Sequence, residues 1–260
     1  MKTLTITTIS RGIERVQEKV SFVFLCAFMP LRLCVEFFHI PSRTRFFLFF
    51  LSLFSLCNFL EAGDIQTFPK EAKESLSKLL QGNDRYVKEL LVHPNRSQER
   101  REEVSQAQYP FAVIVGCSDS RVSPIIVFDQ GLGDLFEVRV AGNVVGPIEI
   151  ASVEYAALHL HSSLIFVMGH ENCGAVKAVL ANQTQDIEPI AERIQAAINA
   201  IPGAGKGSLE MAVKANVIAT VKQLRENPGI AKLIKENKIR VAGGYYHLET
   251  GKVELCCDLL

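Results

Sequence analysis

The sequence predicts an α/β fold with a mostly parallel sheet. Two short apolar runs, residues 111–115 and 164–168, have the length and composition of strands that are buried on both faces. Stretches in which apolar residues recur at helical spacing separate the strand candidates along the chain. Strands that alternate with helices are typical of a parallel sheet covered by helices, and in such sheets ligands bind beyond the carboxyl ends of the strands.

The remaining elements follow from the same patterns. A further strand is predicted at 135–140, and two strands joined by a turn at 249–251 are predicted within 239–255. The charged segment 93–108 lacks periodicity and predicts a linker or an exposed helix. Helices are predicted at 72–91 (with an interruption at Gly82-Asn83), at 149–160, from residue 175, and at 209–226, where Asn227-Pro228-Gly229 ends the helix.

Charge and composition divide the 260-residue chain into two parts. Basic and acidic residues balance at 28 each, which argues against a nucleic-acid-binding surface. Eleven of the 16 Phe residues lie in residues 1–63, whereas residues 64–260 carry 21 basic and 24 acidic side chains, a formal charge of 21 − 24 = −3. We therefore expect an appended segment at 1–63 and a single catalytic-size domain at 64–260.

The segment 1–63 resembles an export signal. Residues 46–57 (FFLFFLSLFSLC) are uncharged and apolar and follow Arg43 and Arg45. As a helix they span about 18 Å, too short for a bilayer core of about 30 Å but suited to a signal peptide. This predicts a periplasmic or secreted protein. The run begins late for a signal peptide, and a start at Met29 would correct this, so residues 1–28 could be an over-extended reading frame. The alternatives to export are an uncleaved membrane anchor, or a non-native extension on a cytoplasmic protein.

Side chains that bind metals follow two of the predicted strands. Cys117 comes after the first strand, and His170 and Cys173 come after the strand at 164–168. Two thiolates and one imidazole suit zinc, and three protein ligands leave a fourth position open, as in catalytic zinc sites. The sequence therefore predicts one Zn²⁺ per chain at this edge of the sheet.

Asp119 and Arg121 lie close to the first cysteine in sequence. Asp119 could fill the fourth position, which would make the site anionic and disfavour a bound hydroxide. Alternatively, Arg121 could hold the Asp119 carboxylate in a bidentate pair, and water could then bind the metal. The spacing leaves both arrangements open.

At these residues the chain resembles the β-class carbonic anhydrases of bacterial type. The runs CSDSRV (117–122) and GHENCGAV (169–176) are similar to the two signatures of that family. The likeness extends from about residue 76 to 255 and includes FDQGLGDLFEVRVAGN (128–143). It does not include residues 1–63.

The resemblance implies a fold and roles for single residues. The fold is a four-stranded parallel sheet with an added strand, flanked by helices, with an N-terminal helical arm (about 64–95) that reaches a partner subunit in dimers or tetramers. Such a partner would cover the apolar face of the amphipathic stretch 72–91. The implied site residues are Cys117, His170 and Cys173 as zinc ligands, Asp119 and Arg121 as a catalytic pair with Asp119 also a potential ligand, Gln108 and the Gly174 amide toward bicarbonate, and Phe136 and Tyr155 beside CO2.

The implied activity is the reversible hydration of CO2 to bicarbonate and a proton by a zinc-bound hydroxide. One alternative is a protein of the same fold in which zinc only braces the structure. The other is a relative that hydrolyses carbon disulfide or carbonyl sulfide. No nucleic-acid partner is expected.

Overall fold

The computed structural model describes residues 69–205 and 207–256. The export segment predicted within residues 1–63 lies outside the described residues. Within the described ranges, no helix combines the length and the apolar character needed to cross a membrane.

Five strands form one sheet. The strands are β1 (Ala112–Gly116), β2 (Leu135–Arg139), β3 (Leu164–His170), β4 (Arg240–Tyr246) and β5 (Val253–Leu255), and their order in the sheet is β2-β1-β3-β4-β5. Strands β1 to β4 are mutually parallel, and β5 pairs antiparallel with β4. This confirms the predicted four-stranded parallel sheet with an added strand.

Helices cover both faces of the sheet. The helices are α1 (Lys70–Val87), α2 (Gln98–Val104), α3 (Pro124–Val127), α4 (Pro147–His159), α5 (Gly174–Leu180), α6 (Glu188–Ala200), α7 (Leu209–Glu226) and α8 (Pro228–Lys235). On one face, α4, α7 and α8 pack against the side chains of Val113 and Val115; on the other, α1 and α3 pack against Ala112 and Ile114. Because every residue of β1 is buried, its continuous apolar run is explained by two covered faces.

Helix α1 is continuous through Gly82 and Asn83, where the sequence predicts an interruption. A Cβ at Gly82 would lie 1.8 Å from the Phe128 carbonyl oxygen, so glycine allows the helix to approach this backbone closely. The buried Asn83 amide donates to the carbonyls of Val127 (3.1 Å) and Gly251 (2.8 Å), and its Oδ1 accepts from the Val253 N–H (2.8 Å). Both residues therefore dock α1 against other parts of the chain, and neither interrupts the helix.

Most of the apolar face of α1 is covered within its own chain. Leu76 and Leu79 are buried in a core cluster with Ile114 and Phe166 of the sheet. The part of the stretch 72–91 formed by Leu76 and Leu79 therefore needs no partner subunit to cover it, whereas Leu90 and Leu91 at its end are exposed. The sheet reaches it because Gly82 and Asn83 let the helix lie close to α3 and to the β4–β5 turn.

Candidate metal centre

Two neighbouring central strands bring the predicted metal ligands together. Strands β1 and β3 are parallel and in register, with Gly116 beside Met168. Cys117 directly follows β1, His170 ends β3, and Cys173 immediately precedes α5. Their ligand atoms all lie within 4.8 Å of one another, and all three residues are buried.

The His170 ring is fixed so that one nitrogen faces the sulfur atoms. Its Nδ1 lies 2.8 Å from the Glu171 carbonyl oxygen, so this nitrogen carries the proton and donates it. Glu171 is itself held, because its N–H donates to the Tyr246 carbonyl (2.8 Å) and its carboxylate accepts the Leu248 N–H (2.9 Å). The His170 Nε2 is buried without a hydrogen-bond partner in the described structure. A buried nitrogen lone pair of this kind needs a ligand.

The two thiols have different proton affinities. A hydrogen bond from Cys173 lowers the pKa of Cys117, and the Gly142 N–H, which donates to the Cys117 sulfur at 3.2 Å, adds to this effect. The same contact with Cys117, together with burial, raises the pKa of Cys173. One thiolate is therefore favoured before any metal binds, and binding would release the second proton.

This donor set fits zinc. Two thiolates and an imidazole nitrogen, all within a few ångströms and shielded from solvent, provide three tetrahedral ligands. Thiolate donors disfavour Mg²⁺ and Ca²⁺, which prefer oxygen ligands. Three donors would leave the fourth position of a tetrahedral ion to a small oxygen ligand.

Asp119 is paired with Arg121. Two side-chain bonds join them, from Nε to Oδ1 (2.9 Å) and from Nη2 to Oδ2 (2.7 Å), and the Arg121 backbone N–H also donates to Oδ1 (3.0 Å). The guanidinium holds the pKa of the Asp119 carboxyl well below its usual range. Of the two arrangements that the sequence leaves open, the structure has the bidentate pair. The carboxylate still lies beside the cluster, with Oδ2 3.8 Å from His170 Nε2.

Arg139 anchors the loop that contains these groups. This residue ends β2 and donates from Nε to the Cys117 carbonyl (3.0 Å) and from Nη2 to the Asp119 carbonyl (2.8 Å). The edge strand thereby fixes the backbone on both sides of Ser118. The sheet therefore holds this loop in place.

The residues predicted to contact substrate occupy different surroundings. The half-buried Phe136 ring lies 6.4 Å from that of Tyr155, which is 49% exposed on α4. Gly174 is the first residue of α5, next to Cys173. Gln108 is exposed between α2 and β1, and no hydrogen bond in the described part of the chain joins it to the cluster.

Two residues at the centre were not identified from the sequence. The Gly142 N–H contacts the Cys117 sulfur, and the Asn216 side chain bonds the Gly142 carbonyl. Only the polar Asn216 on the apolar face of α7 gave a local signal in the sequence.

Comparison with known proteins agrees with this geometry. A family model described as carbonic anhydrase matches residues 112–253. A carbonic anhydrase of Mycolicibacterium smegmatis is 41% identical over 184 residues, which cover 68% of this chain and 89% of that protein. Carbonic anhydrase 2 of Mycobacterium tuberculosis is 36% identical over 184 residues, which again cover 68% of this chain and 89% of that protein.

Solved structures give the same result. The β-carbonic anhydrase of Coccomyxa superposes with a TM-score of 0.57 at 27% identity and covers 69% of this chain and 85% of that one. The β-carbonic anhydrase CcaA superposes with a TM-score of 0.56 at 26% identity, over 69% and 86%. The fold, the buried Cys-His-Cys cluster and these likenesses show that the chain belongs to the β-class carbonic anhydrase family.

Proposed function

We propose that this protein is a zinc-dependent carbonic anhydrase that catalyses the reversible hydration of CO2 to bicarbonate and a proton. The observation that supports this best is the convergence of Cys117, His170 and Cys173, with the unpartnered His170 Nε2 facing the two sulfur atoms. Zn²⁺ held by these residues would act as a Lewis acid that lowers the pKa of water to about 7.

Asp119 and Arg121 would keep the remaining position accessible. The guanidinium neutralises the carboxylate and holds both of its oxygens, so that Asp119 does not compete for the metal. The Asp119 Oδ2 atom lies 3.8 Å from His170 Nε2, so the same carboxylate can accept a hydrogen bond from a water molecule in the cluster. A protein in which zinc only braces the fold has no need of this pair.

The substrate side is proposed to be completed by a second subunit. Phe136 and Tyr155 provide apolar surface for CO2, and Gln108 would bond bicarbonate with its amide. Because Gln108 and Tyr155 are exposed and β2 is an edge strand of the described sheet, a homodimer or tetramer would bury them. Tyr109 and Ile148, which are 80% and 78% exposed, add apolar surface for such an interface.

The direct test is stopped-flow CO2 hydration by the full-length protein from about pH 6.5 to about 9, a range that brackets the pKa of about 7 expected for zinc-activated water. Zinc content and oligomeric mass are measured on the same sample. We expect about one zinc per chain and rapid hydration at neutral pH. Zinc without hydration at any pH contradicts the proposal; parallel assays with carbon disulfide and carbonyl sulfide then separate a bracing role from hydrolysis of another substrate.

We also propose that residues 1–63 direct export. The uncharged apolar run 46–57 after two arginines supports this. When the full chain is expressed in a Gram-negative host, we expect the enzyme in the periplasmic fraction, shortened at its N-terminus near residue 57 or 62. Full-length protein in the cytoplasm, or an uncleaved chain in the membrane fraction, contradicts export by a cleaved signal.

A further inference from the structure

The Cys117 sulfur is contacted by a backbone turn that is not part of either signature motif. The 3₁₀ turn Ala141–Asn143 places the Gly142 N–H 3.2 Å from Sγ. A hydrogen bond to a thiolate stabilises the charge on sulfur and fixes its position. The position of this turn therefore bears on the geometry of the metal centre.

The turn has an unusual backbone conformation. Gly142 (φ 70°) and Asn143 (φ 46°) are consecutive residues in the left-handed region. A Cβ at Gly142 would lie 2.8 Å from Ile194 Cδ1 and 3.2 Å from Ala175 Cβ, so α5 and α6 close around the turn. Because a left-handed backbone is costly for Asn143, the surrounding structure must hold the turn in place.

Helix α7 holds the turn from the other side. Asn216 Nδ2 donates to the Gly142 carbonyl oxygen at 2.6 Å. One turn further along the helix, Thr220 Oγ1 donates to the Asn143 carbonyl at 3.4 Å. Asn216 is 2% exposed and is flanked by buried Ala212 and Val213 of the same helix. Burying an amide here is unfavourable without that bond.

Gly142 is thus held at both of its polar groups. Its N–H donates to the Cys117 sulfur, and its carbonyl accepts from Asn216, so the side chain on α7 and the sulfur are linked through a single residue. We propose that Asn216 is a positioning residue for the metal centre: it fixes Gly142 and thereby directs the Gly142 N–H at the Cys117 sulfur. This inference rests on the proposed function in that the three donors must bind a metal.

The test compares full-length wild-type protein with Asn216→Ala and a matched control, Thr220→Val. The control removes the neighbouring hydrogen bond from the same helix to the next carbonyl. Zinc affinity is measured by competition with a chelator, and the thiolate-to-cobalt absorption band is recorded for the Co²⁺-substituted proteins. Thermal unfolding of each variant separates loss of stability from a change at the metal.

We expect Asn216→Ala to lower zinc affinity about 10- to 100-fold, as is usual when a group that supports a metal ligand is removed. The cobalt band should shift, whereas Thr220→Val, which removes only the longer bond to the Asn143 carbonyl, should change both readouts much less. The serine side chain in Asn216→Ser is too short for its hydroxyl to reach Gly142, so this variant should behave like Asn216→Ala. It replaces the alanine variant in the test if the latter does not fold. Wild-type affinity and spectrum in the Asn216 variants, or equal changes in Thr220→Val, overturn the inference. Failure of the wild-type protein to bind metal overturns the proposed function as well.

Discussion

Replacing Cys173 with serine is expected to lower zinc affinity by about 10²-fold or more and to abolish CO2 hydration at ordinary zinc concentrations. Four-ligand zinc sites release about 10–16 kcal/mol on binding, so one ligand accounts for about 3 kcal/mol, a factor of about 10². The serine hydroxyl does not ionise near neutral pH, so it cannot replace a buried thiolate. Zinc content after dialysis and the initial rate of hydration measure the effect.

Cys256→Ser is the matched control for this variant. It makes the same chemical change at a half-buried cysteine outside the metal cluster, after β5. We expect the control to keep about one zinc per chain and to retain wild-type activity. Stoichiometric zinc and full activity in Cys173→Ser would show that Cys173 is not a ligand, and equal losses in both variants would point to general unfolding.

The location of the metal cluster could be predicted because its ligands lie at, or just beyond, the carboxyl ends of two central strands. A strand that is buried on both faces has a continuous apolar run, and β1 and β3 each end within two residues of the end of that run. Parallel strands present their carboxyl ends at one edge of the sheet, so Cys117 and His170 had to lie close together. The sequence could not show that Asp119 pairs with Arg121, because this depends on the conformation of the loop between them.

Other features depend on contacts between residues far apart in the chain. The interruption expected at Gly82-Asn83 is absent because both residues bond or contact backbone more than 40 positions away. Asn227 ends α7 and also caps the start of α8, so the residues that predict the end of one helix also begin the next. Helix α6 was not predicted, although buried Ala191, Ile194 and Ile198 follow helical spacing.

Replacing Arg121 with glutamine is expected to lower the rate of CO2 hydration at neutral pH about 10- to 100-fold. The change removes both guanidinium bonds to Asp119. The freed carboxylate, with Oδ2 already 3.8 Å from His170 Nε2, would then compete with water for the fourth position. Steady-state rates measured against pH report the effect.

The pH dependence of this variant has a definite sign. Hydroxide competes better with a carboxylate as pH rises, so the activity of Arg121→Gln should recover at more alkaline pH than that of the wild type.

The stability of the metal-free protein should depend on the same ion pair at acidic pH. Because Arg121 lowers the pKa of Asp119 from its usual 3.8, the pair stabilises the fold fully above about pH 4 and less as the pH falls. The difference in stability between wild type and Arg121→Gln should therefore shrink below about pH 4.

Two further variants decide whether the pairing of Asp119 is responsible. Arg121→Lys keeps the positive charge but cannot form two parallel bonds, so its activity should lie between those of wild type and Arg121→Gln. Ser120→Ala changes an exposed neighbour in the same loop and should leave the pH profile unchanged. If Arg121→Gln has the wild-type profile, the arginine does not restrain Asp119. If Ser120→Ala shifts the profile as far, the loop conformation rather than the ion pair keeps the fourth position accessible.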